Sequence, residues 1–116
     1  MEATLNQSEV ISISSVNVSF STGKTDVKAN DANKMTISVN NGSVTAGYKV
    51  NLTQSSSGNG ENKRYTLSGT ITGLEFTGCT DSTQVTFTIT KGKDTYRATT
   101  TVGALRDGTE TLDFGF

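Results

Sequence analysis

Residues 35–52 read MTISVNNGSVTAGYKVNL, and apolar side chains recur at every second position on both sides of Asn41-Gly42. Met35, Ile37 and Val39 alternate with polar residues before the turn; Val44, Ala46, Tyr48, Val50 and Leu52 do so after it. A period of two marks a strand with one buried face, whereas a helix repeats near 3.6. Asn-Gly suits a two-residue type I′ turn, because both central positions need positive φ. Centred there, the turn sets Val39 against Val44, Ile37 against Ala46 and Met35 against Tyr48, all on one face. The stretch predicts a β-hairpin, and with it an all-β chain.

The same period runs through the flanking sequence. Glu9 to Phe20 carries Ile11 and Ile13, then Val16, Val18 and Phe20, with the phase flipping across Ser14-Ser15. A β-bulge or a strand that changes sheets would produce that flip. Polar residues 21–33 and 54–63 read as loops. Tyr65, Leu67 and Ile71 share a phase; Gly73 breaks it, and Leu74 and Phe76 resume on the other parity. A second hairpin centres on Gly92-Lys93, with Gly in the first turn position as type II′ prefers. Its register sets Ile89 against Tyr96, Phe87 against Ala98 and Lys91 against Asp94. A third, with Asp107-Gly108-Thr109 as its loop, would set Ala104 against Leu112, Val102 against Phe114 and Arg106 against Glu110. These segments make about seven to nine short strands and no helix, which is the pattern of a sandwich. The expectation is a single antiparallel β-sandwich over residues 1–116, immunoglobulin-like or Greek-key. Its core would draw on Ile11, Ile13, Val18, Phe20, Ile37, Val39, Val44, Tyr48, Val50, Leu67, Ile71, Phe76, Val85, Phe87, Ile89, Val102, Leu112 and Phe114.

Composition narrows the chemistry. Thr, Ser, Asn and Gly fill nearly half of the chain, while His, Trp and Pro are absent and there is one Cys. Without His there is no imidazole general base and no Ser-His or Cys-His pair. The usual zinc sets lose their commonest nitrogen ligand. The formal net charge is −1 and the Lys and Arg residues are scattered, which argues against nucleic acid as a partner. No apolar run approaches the ~20 residues of a membrane helix. The opening Met1-Glu2-Ala3-Thr4 lacks the regions of a signal peptide. The composition points to an extracellular or cell-surface protein, or a virion component, whose signal or anchor is not in this sequence. Cys79, in a turn-like stretch, reads as a small buried residue.

The remaining candidates each have a plain structural reading beside them. Glu75 and Asp113 are the carboxylates a glycosidase-like pair would need, yet strand alternation puts both on the polar face. Asp26, Asn30, Asp31 and Asn33 form an oxygen-rich loop that could ligate calcium, although Asx residues are ordinary turn formers. Four Asn-x-Ser/Thr triplets begin at Asn6, Asn17, Asn41 and Asn51, a number that chance alone supplies in so Asn- and Thr-rich a chain. Thr86, Thr88, Thr90, Thr95, Thr99 and Thr101 fall on the outward face of the second hairpin. Cross-strand Thr pairs stabilise a sheet, and the same array offers a hydroxyl surface for adhesion or subunit packing. Ile11, Ile13, Leu112, Phe114 and Phe116 lie on terminal strands unguarded by Pro. Such strands close their own sheet or complete a neighbour's by strand addition.

Along its whole length the chain resembles, in texture, Thr-rich β-sandwich modules of microbial surfaces: pilin-like filament subunits, adhesin repeats and virion accessory proteins. No motif carries that resemblance, so no functional residue comes with it. The expectation is a non-enzymatic structural or adhesive module without a cofactor, acting through sheet faces and terminal strands on a protein partner or on itself. The alternative is a ligand-binding module for glycan or calcium.

Overall fold

A computed structural model describes residues 10–23, 25 and 27–116. Alternating burial organises them into strands β1 (Val10–Gly23), β2 (Thr36–Val39), β3 (Ser43–Val44), β4 (Lys49–Ser57), β5 (Arg64–Thr77), β6 (Gln84–Lys91), β7 (Asp94–Thr101) and β8 (Thr109–Thr111). Two short helices interrupt them, α1 (Ala29–Ala32) and α2 (Val102–Arg106). One sheet runs β3/β4-β5-β1-β8 and the other β2-β6-β7. The two pack face to face as an all-β sandwich. All ladders are antiparallel except β1–β8, which is parallel.

Between the sheets lies a core of aliphatic and aromatic side chains. Val16, Leu67, Ile71, Leu74 and Phe76 from one sheet meet Val85, Phe87 and Ile89 from the other, all fully buried. Each such side chain removed from water stabilises the fold by roughly 1.5–3 kcal/mol before entropy is counted. Of the core residues expected from the sequence, Ile11, Val39, Val44 and Tyr48 are half-buried at the margin. Val16, Val27, Ala32, Met35, Leu52, Leu74, Cys79, Ala98 and Leu105 join the core in addition.

The second hairpin forms in the expected register, from Lys91 opposite Asp94 to Phe87 opposite Ala98, with Gly92 at φ +62°. The Asn41-Gly42 hairpin does not form. β2 pairs with β6 in one sheet, while β3 and β4 pair with β5 in the other. The chain arches from sheet to sheet at Asn41-Gly42 instead of folding back on itself. Gly42 is held at φ +96°, and a Cβ there would run into the Thr77 carbonyl. Glycine is needed at this point for close backbone approach as well as for the turn. Inward residues face one another across the core after an arch and lie side by side after a hairpin, so both geometries bury the same alternating set except Ala46, which the arch leaves exposed.

The third hairpin is also replaced. Residues 102–106 are helical, because the Thr101 hydroxyl accepts from the Ala104 amide at 3.2 Å as an N-cap, and Val102 and Leu105 bury one helical face. β8 then leaves for the other sheet, where Asn17, Val18 and Ser19 lie beside Thr109, Glu110 and Thr111. Arg106 pairs with Asp81 at 2.7 Å, not with Glu110. The expected loop over 21–33 contains the end of β1 and α1, and the one over 54–63 shortens as β4 runs on through Ser57.

The phase flip in β1 arises without a change of sheet. β1 follows β5 along its length, with Ile13 opposite Leu74 and Ser15 opposite Thr72. Both strands reset at the same level, between those pairs, where Gly73 adopts φ +74°. No residue is added to either strand there. A bulge does occur, but lower down, where the register shifts between Ser21 and Gly23.

Candidate interaction surfaces

Strand alternation sends the hydroxyl and amide side chains outward on both sheets. On the β2-β6-β7 face, Thr36, Thr88 and Arg97 form one row, and Ser38, Thr86 and Thr99 the next. Thr90 faces Thr95, and Gln84 faces Thr101. Thr90, Thr95 and Thr99 are exposed; Thr86, Thr88 and Thr101 are half-buried by their neighbours. The expected Thr array therefore stands in register on one face.

A wider array, missed in the sequence, covers the other sheet. Thr109, Asn17, Thr70 and Asn51 make one row across β8, β1, β5 and β4. Thr111, Ser19, Ser68 and Thr53 make the next, and Ser21, Thr66 and Ser55 a third. None of these residues is charged. Several hydroxyls bond neighbouring carbonyls, Thr53 to Ser68 at 3.4 Å and Ser55 to Thr66 at 3.5 Å, which fixes their orientation. The polar runs of β1 and β4 carried the signal, but only the order of strands places them side by side.

Two seams join the sheets. Along the β2/β4 seam, side chains bond to open strand backbone. The Asn33 side chain accepts from the Leu52 amide at 2.8 Å and donates to the Leu52 carbonyl at 3.4 Å. The Tyr48 hydroxyl accepts from the Ile37 amide at 3.1 Å. Asp31 accepts from the Lys28 amide at 3.0 Å and pairs with Lys91 at 3.1 Å. The Lys28 amide first, and the Lys91 ammonium second, hold the Asp31 carboxyl below the ordinary carboxylate value. Of the calcium candidates, Asp31 and Asn33 are thus engaged with protein partners, Asn30 is exposed, and Asp26 lies outside the described residues.

Along the β7/β8 seam, side chains meet side chains. Thr100 donates to Glu110 at 2.7 Å. The chain beyond β8 folds inward, where Phe114 lies 4.7 Å from Phe20 and Phe116 4.6 Å from Tyr96, centroid to centroid. Leu112 and Phe114 are buried and Phe116 half-buried. Of the other strand-exchange candidates, Ile13 is buried and Ile11 half-buried against the core. In this conformation their own chain takes up all five.

Glu75 and Asp113 are both exposed and are not brought together. Glu75 sits at the level of Ser12 in β1, and Asp113 follows Leu112, whose amide donates to Ser19. That separates them by more than roughly 25 Å along the strand. Cys79 is buried, with its Sγ donating to the Asn41 carbonyl at 3.4 Å. It lines a depression of about 450 Å³ with Val10, Ile11, Ser12, Asp81 and Arg106. Among the described residues no helix is long and apolar enough to cross a membrane. No family model, curated protein or solved structure matches this chain.

Proposed function

We infer that the chain is a non-enzymatic structural or adhesive module of a microbial surface, a pilin-like filament or a virion, located outside the cell or on its surface. It engages partners through its sheet faces and its terminal strands. The observation that carries this reading is the uncharged hydroxyl and amide array over β8, β1, β5 and β4. Such a face presents many weak donors and acceptors at fixed spacing and no group suited to covalent chemistry. It favours broad, repetitive contact over a single deep site. The microbial setting rests on the likeness in texture noted above.

The test couples the full chain to beads and presents them to glycan, polysaccharide and protein surfaces, with electron microscopy of the concentrated protein alongside. Ser68→Lys places a charge in the middle of the array, where Ser68 is exposed. Binding or assembly by the wild type, lost in Ser68→Lys with the melting temperature unchanged, is the expected result. A wild type that neither binds nor assembles overturns the reading. Binding that survives Ser68→Lys removes this face from it.

A further inference from the structure

β7 is the outermost strand of its sheet, and the direction of its backbone groups decides what that edge can take. The Val102 amide donates to the Thr83 carbonyl at 3.0 Å, and Lys91 and Asp94 flank the two-residue turn. Those two points fix the phase of the ladder: even-numbered residues of β7 exchange bonds with β6. The amides and carbonyls of Thr95, Arg97 and Thr99 therefore point outward along the edge. Among the described residues nothing bonds to them.

Of the usual edge protections only one is present here, the exposed charge of Arg97. The chain has no Pro, the β6–β7 register is unbroken, and the inward residues Tyr96, Ala98 and Thr100 carry no charge. Two of the other edges are shorter, and single backbone positions are taken on β2 and on β4, a strand of 9 residues. β8 has 3 residues and β2 has 4, Tyr48 takes the Ile37 amide, and Asn33 takes both backbone groups of Leu52 on β4.

We propose that β7 pairs antiparallel with β7 of a second copy of this chain, joining the two small sheets into one about a two-fold axis. A row of free N–H and C=O groups is answered by extended backbone. An identical strand fits by charge and by register. The net charge of −1 sets up little repulsion between copies. Only odd-numbered residues can exchange bonds across the new ladder. Arg97 opposite Arg97 would repel. The register one step along sets Arg97 opposite Thr99 and Thr95 opposite Thr101, with the two Ala98 residues meeting on the axis. Its inward pairs are uncharged. Its Thr–Thr contact repeats a chemistry the chain already uses at Thr90–Thr95 and Thr86–Thr99. The pairing uses backbone groups of β7 and not the β8-β1-β5-β4 array that carries the proposed function, so it stands or falls separately from that reading.

Sedimentation velocity of the full chain from micromolar to millimolar concentration tests the pairing. A reversible dimer is expected. Thr99→Pro removes only an outward amide and spares the β6 ladder. It weakens the dimer by roughly thirtyfold, the loss of two symmetry-related backbone bonds. Thr99→Glu, facing Arg97 of the other copy, tightens it several-fold, and Thr99→Lys weakens it. Ala98→Cys in a Cys79→Ser background crosslinks on oxidation, because opposed Cα atoms in a non-hydrogen-bonded pair lie ~4.5 Å apart, within disulfide reach. A monomer at every concentration overturns the proposal. So does a dimer indifferent to Thr99→Pro, or to Thr99→Lys should the proline variant not fold. Failure of Ala98→Cys to crosslink within a dimer overturns the register.

Discussion

The two seams of the sandwich solve the same problem differently. At the β2/β4 seam, Asn33 and Tyr48 bond directly to strand backbone and satisfy groups that would otherwise face solvent or another chain. At the β7/β8 seam, an aromatic cluster and the Thr100–Glu110 bond hold the sheets together, and among the described residues nothing takes the outward backbone groups of β7. Side chains that bond to backbone close an edge; side chains that only pack beneath it leave it available. Closure between sheets and protection of a strand edge are thus separate properties, and this chain has both at one seam and only the first at the other.

The largest expected effect breaks the aromatic seam. Phe114 is buried beside Phe20, and Phe114→Ala costs about 3–5 kcal/mol in urea unfolding. An effect below about 1 kcal/mol would mean that the segment beyond β8 is dispensable. Next, Asn33→Ala removes both partners of Leu52, whose side chain is buried. A loss of about 1–3 kcal/mol is expected, with faster hydrogen exchange at the Leu52 amide. Tyr48→Phe keeps the ring and removes one acceptor, for about 1 kcal/mol. Its signature is faster exchange at Ile37 while the amides of β7 stay unchanged.

The smallest effect concerns pH. The folded carboxyl of Asp31 is lowered relative to the unfolded chain, so its contribution is present above the unfolded value, near ~3.9. It is lost as pH falls through the folded value. The Asp31 side chain retains 22% exposure, so Asp31→Asn costs under about 1 kcal/mol at neutral pH. The gap between wild type and variant closes in acid, as pH-dependent denaturation would show. A gap that persists in acid, after the folded carboxyl has been protonated, would assign the effect to the helix cap and not to charge.

Much of the fold was legible in residue order because alternation reports which side chains turn inward. The Gly92-Lys93 hairpin was fully legible: turn chemistry, charge pair and register all agreed with a local contact. The Asn41-Gly42 segment offered the same kinds of signal, and they misled about pairing. Its turn does need glycine, but for the approach of Gly42 to Thr77, a residue far along the chain. Residues 102–106 carried a readable helix signal in Thr101 as N-cap and in the Val102–Leu105 spacing, masked by the strand period around them. On the surfaces, the Thr rows of β6 and β7 could be written from sequence, since one turn fixes both strands. The larger array could not, because its rows join β8 and β1 to the consecutive strands β4 and β5, three distant parts of the chain.

The sequence by itself determined most of the inward set, the polar outer faces and the hairpin closed by Gly92-Lys93. These follow from period, turn chemistry and local register, which act over a few residues. Only the tertiary structure decided which strands share a sheet, that Asn41-Gly42 arches instead of pairing, and that Asn33 and Tyr48 bond to strand backbone. An arch and a hairpin bury nearly the same residues, so inward alternation alone does not choose between them. The choice was made by β5 and β6, which bond to the two flanks from opposite sides of the core.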